Sequence, residues 1–177
     1  MLPLGQSAPG FEDLLATDGR RYSLGSFADK PVLVVIFSCN HCPYVKDYEL
    51  RMVEIQRDYA SKGVQLVAIN ANDDRTYPED SYPRMVERAK QRGFNFVYLR
   101  DDDQTIVEDY GAACTPHVFL FDQKRVLRYR GRIDDSRDPS KVKTSDLRNA
   151  IDDVLGGVPV RVPDTRPFGC SIKFHQE

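Results

Sequence analysis

Runs of apolar residues alternate along the chain with segments whose apolar residues recur every three or four positions. Residues 32–38 and 64–70 are almost continuously apolar, as expected of strands buried on both faces of a sheet. Between them, apolar side chains recur at helical spacing, at Val45, Tyr48, Met52, Ile55 and Tyr59. The pattern therefore predicts a strand, a helix and a second strand, in that order.

Shorter elements are predicted on either side of this unit. Residues 17–20 are typical of a turn and predict a small N-terminal hairpin within residues 9–29. Downstream, the pattern predicts helices at 84–92, 104–110 and 145–155 and strands at 96–99, 118–121 and 126–130. Strands alternate with helices first and a hairpin follows, so we expect an α/β fold with a central mixed β-sheet flanked by helices.

Composition narrows the classes of protein without choosing among them. A chain of 177 residues with 41% hydrophobic residues suits a single domain over residues 1–177, with residues 157–177 as a C-terminal tail packed on it. A net charge of −2 argues against a nucleic-acid partner. Because the N-terminus resembles no signal peptide and no apolar run reaches the ~20 residues of a membrane span, we expect a cytoplasmic protein without a membrane partner.

The candidate chemistry lies where the first long strand meets its helix, at Cys39-Asn40-His41-Cys42. Two cysteines separated by two residues can close a disulfide and open it again, and a helix N-terminus favours the thiolate form. We expect Cys39 to be the exposed attacking thiolate and Cys42 the resolving thiol. Asn40 and His41 would tune the couple, since a histidine beside Cys39 can stabilise its thiolate.

Two further cysteines are candidates for auxiliary roles. Cys114 stands two residues before Pro116 and is interpreted as a packed hydrophobe, with a third redox thiol or a metal ligand as alternatives. Cys170 lies in the C-terminal tail and either folds back as a resolving partner or is packed, which we favour. Because only one close cysteine pair exists, we expect no metal and no other cofactor.

The strand, Cys-x-x-Cys-Pro, a helix and a later Thr115-Pro116 before a hairpin resemble the thioredoxin-like superfamily. The spacing between Cys42 and Pro116 leaves room for an extra strand–helix insertion. In this insertion the chain resembles the bacterial redoxin branch of the superfamily, which includes alkyl-hydroperoxide-reductase-like and thiol-specific-antioxidant-like proteins. The resemblance implies a thioredoxin-like fold and a cis bond before Pro116, which would turn the backbone of Thr115 towards the cysteines and an extended peptide.

The sequence departs from minimal thioredoxins at one position that matters for proton transfer. Those proteins carry a buried carboxylate six residues before the first cysteine, where this chain has Leu33. If a base exists, it must come from elsewhere, with Glu79 or Asp73 as candidates.

Three functions remain open. The first and favoured one is a thiol–disulfide oxidoreductase acting on protein or small-molecule disulfides, with a cellular thiol as reductant. The second is a peroxiredoxin-like antioxidant peroxidase, for which Arg128 or Arg130 could supply charge, although the peroxidatic loop motif is missing. The third is a metal- or partner-binding module that kept the fold and lost turnover.

Overall fold

The computed structural model describes residues 1–176, and its regular elements follow the predicted order. The strands are β1 (Leu14–Leu15), β2 (Arg21–Tyr22), β3 (Val32–Phe37), β4 (Val64–Asn70), β5 (Val97–Arg100), β6 (Cys114–Thr115), β7 (His117–Phe121), β8 (Leu127–Gly131) and β9 (Cys170–Ser171). The α-helices are α1 (Pro43–Tyr59), α2 (Tyr82–Arg92), α3 (Thr105–Tyr110) and α4 (Asp146–Leu155).

Five strands form the central sheet in the order β5-β4-β3-β7-β8. β3 pairs in parallel with β4 and antiparallel with β7, so that Val34 lies between Leu66 and Leu120. β5 extends the parallel half and β8 the antiparallel half. The predicted central mixed sheet flanked by helices is therefore confirmed, as is the N-terminal hairpin, which β1 and β2 form.

The side chains of β3 feed two hydrophobic cores, one on each face of the sheet. Val34 and Ile36 belong to the core that contains residues of α1 and α4, and Leu33 and Val35 belong to the core that contains residues of α3 and the N-terminal region. Every residue of β3 is buried, which explains why the strand is apolar throughout rather than alternating.

The boundaries of the predicted elements shift by a residue or two. α2 begins at Tyr82 rather than residue 84, because Pro83 in its first turn needs no hydrogen-bond acceptor there. A 3₁₀ turn over Ala60–Lys62 follows α1 and ends at Gly63, whose φ of +82° is a left-handed conformation. A Cβ at Gly63 would lie 2.7 Å from Cδ of Pro31, so this turn also needs glycine to pack against the start of β3.

Two further features position the candidate site. α2 and β5 form the extra unit inserted between β4 and α3. The C-terminal tail folds back onto the site, where β9 pairs antiparallel with β6 in a separate two-stranded sheet that joins Thr115 to Cys170 and Cys114 to Ser171. Within residues 1–176, no helix combines the length and apolar character needed to cross a bilayer.

Candidate redox site

Both cysteines of the Cys-x-x-Cys motif lie at the junction between β3 and α1. Cys42 is the N-cap residue of α1, and Pro43 occupies the first turn, where its missing N–H costs no hydrogen bond. The Cys42 side chain makes no capping hydrogen bond, but the backbone N–H of Val45 in the first turn contributes to lowering the pKa of Cys42. The apolar strand thus leads the chain out of the core and delivers two sulfurs to a helix N-terminus.

Neither sulfur is open to solvent. Cys39 is 2% exposed and Cys42 is 0% exposed, so the expectation of an exposed Cys39 is wrong. The two cysteines form a small apolar cluster with Val45, against which Tyr44 and Cys170 pack. Sequence neighbours alone did not reveal this burial, because Cys170 comes from the far end of the chain.

The bond between Thr115 and Pro116 is cis, which confirms the expectation taken from the thioredoxin-like resemblance. Thr115 touches both members of the dithiol. Its hydroxyl oxygen lies 3.5 Å from the Cys39 sulfur, and its carbonyl oxygen lies 3.6 Å from the Cys42 sulfur. The predicted meeting of the cysteines with the cis-proline turn therefore occurs.

The electrostatics place the negative charge on Cys42 rather than on Cys39. A hydrogen bond from Cys39, helped by donors from Cys170 and Val45, outweighs burial and lowers the pKa of Cys42 to about 4. The same hydrogen bond, burial and the charge of Asp80 raise the pKa of Cys39 well above its usual value. The carbonyl oxygen of Thr115 accepts a hydrogen bond from a protonated Cys42 and so opposes a negative charge there. The combined effect of Cys39, Cys170 and Val45 on the pKa of Cys42 is larger. The pKa shifts of the two thiols therefore favour a proton on Cys39 over one on Cys42.

A buried carboxylate that the sequence analysis missed lies beside Cys39. Asp80 is 0% exposed, and its Oδ1 accepts hydrogen bonds from the backbone N–H of Asn40 at 2.7 Å and from Nδ2 of Asn70 at 3.2 Å. Its Oδ2 accepts one from Nδ2 of Asn72 at 3.1 Å and also bonds Nδ1 of His41. Asp80 therefore ties the Cys-x-x-Cys loop to the end of β4.

The two carboxylates proposed from sequence play other parts. Glu79 is exposed, and only its backbone carbonyl reaches the site, where it accepts a hydrogen bond from Nδ2 of Asn40 at 2.7 Å. Asp73 is buried but binds Nδ1 of His175 at 3.0 Å. Hydrogen bonding by Thr76, and then by His175, lowers the pKa of Asp73 to about 2. Neither side chain is the base that the sequence analysis sought.

His41 and Asn40 both make contacts that hold the Cys-x-x-Cys loop in place. His41 bonds Asp80 through Nδ1 and stacks on Tyr77, with ring centroids 5.2 Å apart and an interplanar angle of 5°. The side-chain oxygen of Asn40 accepts a hydrogen bond from the hydroxyl of Tyr98 at 2.8 Å. A ring nitrogen of His41 also lies within 4.8 Å of the Cys39 sulfur, so His41 can act on Cys39 directly as well as through Asp80.

The remaining cysteines differ in how they meet the dithiol. Cys114 is buried, and its sulfur lies 3.8 Å from the carbonyl oxygen of Pro116. Burial raises the pKa of the Cys114 thiol to about 11, so this side chain is a protonated packing residue. Cys170, by contrast, packs against the dithiol cluster from the C-terminal tail.

Three side chains of the site carry atoms suited to metal binding. Ligand atoms of Cys39, His41 and Asp80 all lie within 4.8 Å of one another, a set that the sequence analysis did not anticipate. Both oxygens of Asp80 already accept hydrogen bonds from four groups, which a cation would have to displace. The arrangement therefore suits a hydrogen-bonding role for Asp80 better than metal binding.

The arginines considered for a peroxidase lie elsewhere. Nε of Arg128 donates to Asp122 at 2.8 Å, and NH2 of Arg130 donates to Asp164 at 2.9 Å. NH1 of Arg130 donates to the carbonyl of Leu2. These guanidinium groups are engaged at β8, so the charge expected to polarise a peroxide is committed to other partners.

A mixed sheet, a dithiol at a helix N-terminus and a cis-proline beside it define a thioredoxin-like fold. Residues 3–151 match the Redoxin family, and the chain belongs to that family. An uncharacterized conserved protein from Geobacillus kaustophilus is 40% identical, with a TM-score of 0.93 over 100% of this chain and 95% of that one. A hypothetical protein from Sinorhizobium meliloti is 38% identical, with a TM-score of 0.93 over 100% of this chain and 97% of that one.

A more distant structure shares the fold. The thioredoxin domain of a thiol-disulfide oxidoreductase from Bacteroides vulgatus is 16% identical, with a TM-score of 0.68 over 88% of this chain and 99% of that one. At this identity the likeness concerns the fold alone.

Proposed function

We propose that the chain is a thiol–disulfide oxidoreductase whose redox couple is Cys39 and Cys42. The observation that carries the proposal is that both sulfurs meet at the N-terminus of α1 and both touch Thr115, the residue before the cis-proline. The substrates are protein or small-molecule disulfides, and a cellular thiol restores the reduced form. The proposed location is the cytoplasm, where dithiols are kept reduced.

In the proposed reaction, Cys39 attacks the substrate disulfide while its proton passes to the Cys42 thiolate, which acts as the base. One substrate sulfur joins Cys39 in a mixed disulfide, and the other leaves as a thiolate that takes the proton from Cys42. Cys42 then attacks the Cys39 sulfur, and the second substrate sulfur leaves. Two electrons pass from the protein dithiol to the substrate, leaving a Cys39–Cys42 disulfide.

Asp80 and His41 are positioning residues in this reaction. Asp80 holds the backbone N–H of Asn40, so it fixes the residue that follows Cys39. Its negative charge disfavours a thiolate on Cys39 and so helps to keep the proton there in the resting state. His41, which is partly exposed, joins Asp80 to the surface of the site.

The test is to trap the mixed disulfide with a test protein substrate that contains a single reducible disulfide. We expect Cys42→Ser to accumulate a complex linked through Cys39, because the attacker remains and the resolving thiol is gone. We expect either single variant to lower the rate of substrate reduction by about a thousandfold or more, since neither can complete both exchange steps.

The double variant Cys39→Ser/Cys42→Ser is the matched control, and it should trap no complex. Trapping by Cys39→Ser instead of Cys42→Ser would reverse the assigned roles of the two cysteines. Substrate reduction by the double variant at the wild-type rate would overturn the proposed couple. The reduction potential of the Cys39–Cys42 couple then gives the direction of electron flow.

A further inference from the structure

The C-terminal tail places a third cysteine on the dithiol. β9 pairs with β6 so that Cys170 lies directly opposite Thr115, the residue whose carbonyl oxygen is 3.6 Å from the Cys42 sulfur. Cys170 packs against the cluster formed by Cys39 and Cys42. The pairing of β9 with β6 thus brings three thiols that are far apart in the sequence, those of Cys39, Cys42 and Cys170, to one site.

The two residues before Cys170 allow the tail to lie close to β6 and α1. The backbone of Gly169 lies so close to β6 that a Cβ there would be 2.0 Å from the carbonyl oxygen of Thr115. Phe168 packs against the rings of Tyr44 and Tyr48, with centroids 6.2 Å and 6.1 Å away. A glycine and an aromatic anchor on the N-terminal side of Cys170 therefore hold its thiol against the N-terminus of α1.

The three thiols differ in their access to solvent. Cys39 and Cys42 are buried, whereas Cys170 is only partly buried and belongs to a two-residue strand at the end of the chain. A disulfide between Cys39 and Cys42 would be hard for an external thiol to reach. A disulfide that includes Cys170 would place one of its two sulfurs on a residue that is partly exposed to solvent.

We propose that Cys170 is a third redox cysteine, which takes over the disulfide from the buried pair by forming a bond with Cys42. The proposal rests on the oxidoreductase function proposed above. In the step, the sulfur of Cys170 attacks the sulfur of Cys42, the Cys39–Cys42 bond breaks, and Cys39 leaves as a thiolate. The proton of Cys170 passes to Cys39, so that one disulfide replaces another and no external oxidant or reductant is consumed.

Oxidation of the buried pair itself prepares Cys170 for this attack. In the reduced protein, burial raises the pKa of Cys170 to about 11, and the charge of Cys42 adds to that effect. When Cys42 enters a disulfide its negative charge is gone, and that contribution disappears. The hydroxyl of Thr115, 3.5 Å from the Cys39 sulfur, can donate to the departing thiolate.

The experiment maps disulfides by mass spectrometry, after non-reducing proteolysis of full-length protein oxidised with diamide. In Cys39→Ser, we expect Cys42 to pair with Cys170 at about tenfold the yield of any disulfide that contains Cys114, because β9 holds its thiol at Cys42. The yield should not depend on protein concentration, since the reaction is intramolecular.

A matched control moves the thiol by one residue. The variant Cys39→Ser/Cys114→Ser/Cys170→Ser/Ser171→Cys carries its tail thiol on the opposite face of β9, because neighbouring side chains of a strand point to opposite faces. It is compared with Cys39→Ser/Cys114→Ser, because Ser171 pairs in register with Cys114, whose thiol would compete for the new cysteine. We expect about tenfold less disulfide to Cys42 in this variant. Equal yields from the two variants would show that a flexible tail, and not a built site, brings the sulfurs together, and would overturn the proposal.

Wild-type protein oxidised with a single equivalent of diamide separates this proposal from the oxidoreductase function. We expect both the Cys39–Cys42 and the Cys42–Cys170 disulfides, in exchange with each other. A Cys39–Cys42 disulfide alone, together with no Cys42–Cys170 bond in Cys39→Ser, overturns the third redox cysteine and leaves the couple intact. Absence of the Cys39–Cys42 disulfide, with folding verified by circular dichroism, counts against the couple itself.

Discussion

The β3–α1 junction and the C-terminal tail meet at Thr115, but they are held by different amounts of structure. The junction follows a strand that is paired on both sides and packed on both faces. The tail is held by a two-residue ladder to β6, by the packing of Phe168 and Ile172, and by hydrogen bonds to polar groups, among them Asn72, Gln104 and Asp73. With fewer backbone pairs than the junction, the tail is expected to open at a lower free-energy cost.

This contrast separates two requirements of thiol chemistry. Exchange needs sulfurs held in a fixed geometry, which the core-anchored junction supplies. It also needs access for a partner, which a buried pair lacks until its cover moves. Three substitutions test whether the junction and the tail really behave as a rigid part and a releasable part.

The largest effect is expected from Asp80→Asn. The new amide replaces one carboxylate oxygen with an NH2 group, which would face the donors that this oxygen now accepts, either from Asn40 and Asn70 or from Asn72 and His41. We expect the free energy of unfolding to fall by about 2–4 kcal/mol, as for other buried polar groups left without partners. Denaturant titration measures this change.

Glu79→Gln is the matched control, because it makes the same chemical change one residue away on an exposed side chain. We expect its free energy of unfolding to stay within about 0.5 kcal/mol of wild type. Similar losses in the two variants would mean that the junction is not anchored through Asp80.

An intermediate effect is expected from Gly169→Ala, which acts on the tail. Its Cβ would collide with the carbonyl of Thr115, so β9 must leave β6 while the junction stays folded. We expect Cys170 to react with iodoacetamide about tenfold faster, with little change in the denaturation midpoint. Gly10→Ala is the control, because a Cβ at Gly10 meets no atom within 4 Å. An unchanged rate at Cys170 would show that the tail is not seated as described.

The smallest effect is expected from His175→Gln, and it depends on pH. Nδ1 of His175 lies 3.0 Å from Asp73, and Nε2 lies 2.8 Å from the carbonyl oxygen of Asp102. That carbonyl and the carboxylate of Asp73 raise the pKa of His175 above its usual 6.5. Because protonated histidine donates from both nitrogens, its stabilisation is complete below pH 6.5 and is lost as pH rises through the raised pKa.

The thermal stability of wild type should therefore exceed that of His175→Gln at about pH 6, and the difference should be smaller at about pH 9. Differential scanning calorimetry of both proteins across this range measures the difference. A gap that is constant with pH would mean that His175 packs without its charge contributing.

Most of the fold could be predicted from local patterns in the sequence. Residues 32–37 and α1 could be predicted because burial on both faces and helical periodicity leave direct traces in the sequence. The cis bond before Pro116 followed from a family resemblance, not from any physical pattern. Turn and helix boundaries were the least certain, since one proline or serine shifts them by a residue or two.

The candidate site could be predicted only in part. Cys39 and Cys42 were identified because two cysteines separated by two residues can form a reversible disulfide, which is visible in the sequence alone. Asp80 was missed because its role depends on the loop after β4 folding back over the end of β3, and no local pattern marks it. The burial of Cys39 was missed for the same reason, since its cover comes from residues distant in the chain.

The ladder between β9 and β6 has a consequence for selectivity. An extended polypeptide that is to pair with the backbone of Thr115 would compete with β9, which is already part of the same chain and therefore has a high effective concentration. Its apparent affinity falls in proportion to the fraction of time that this strand position is vacant. Compact disulfides that need no strand pairing escape this competition, so truncation before Gly169 should favour bulky clients over small ones.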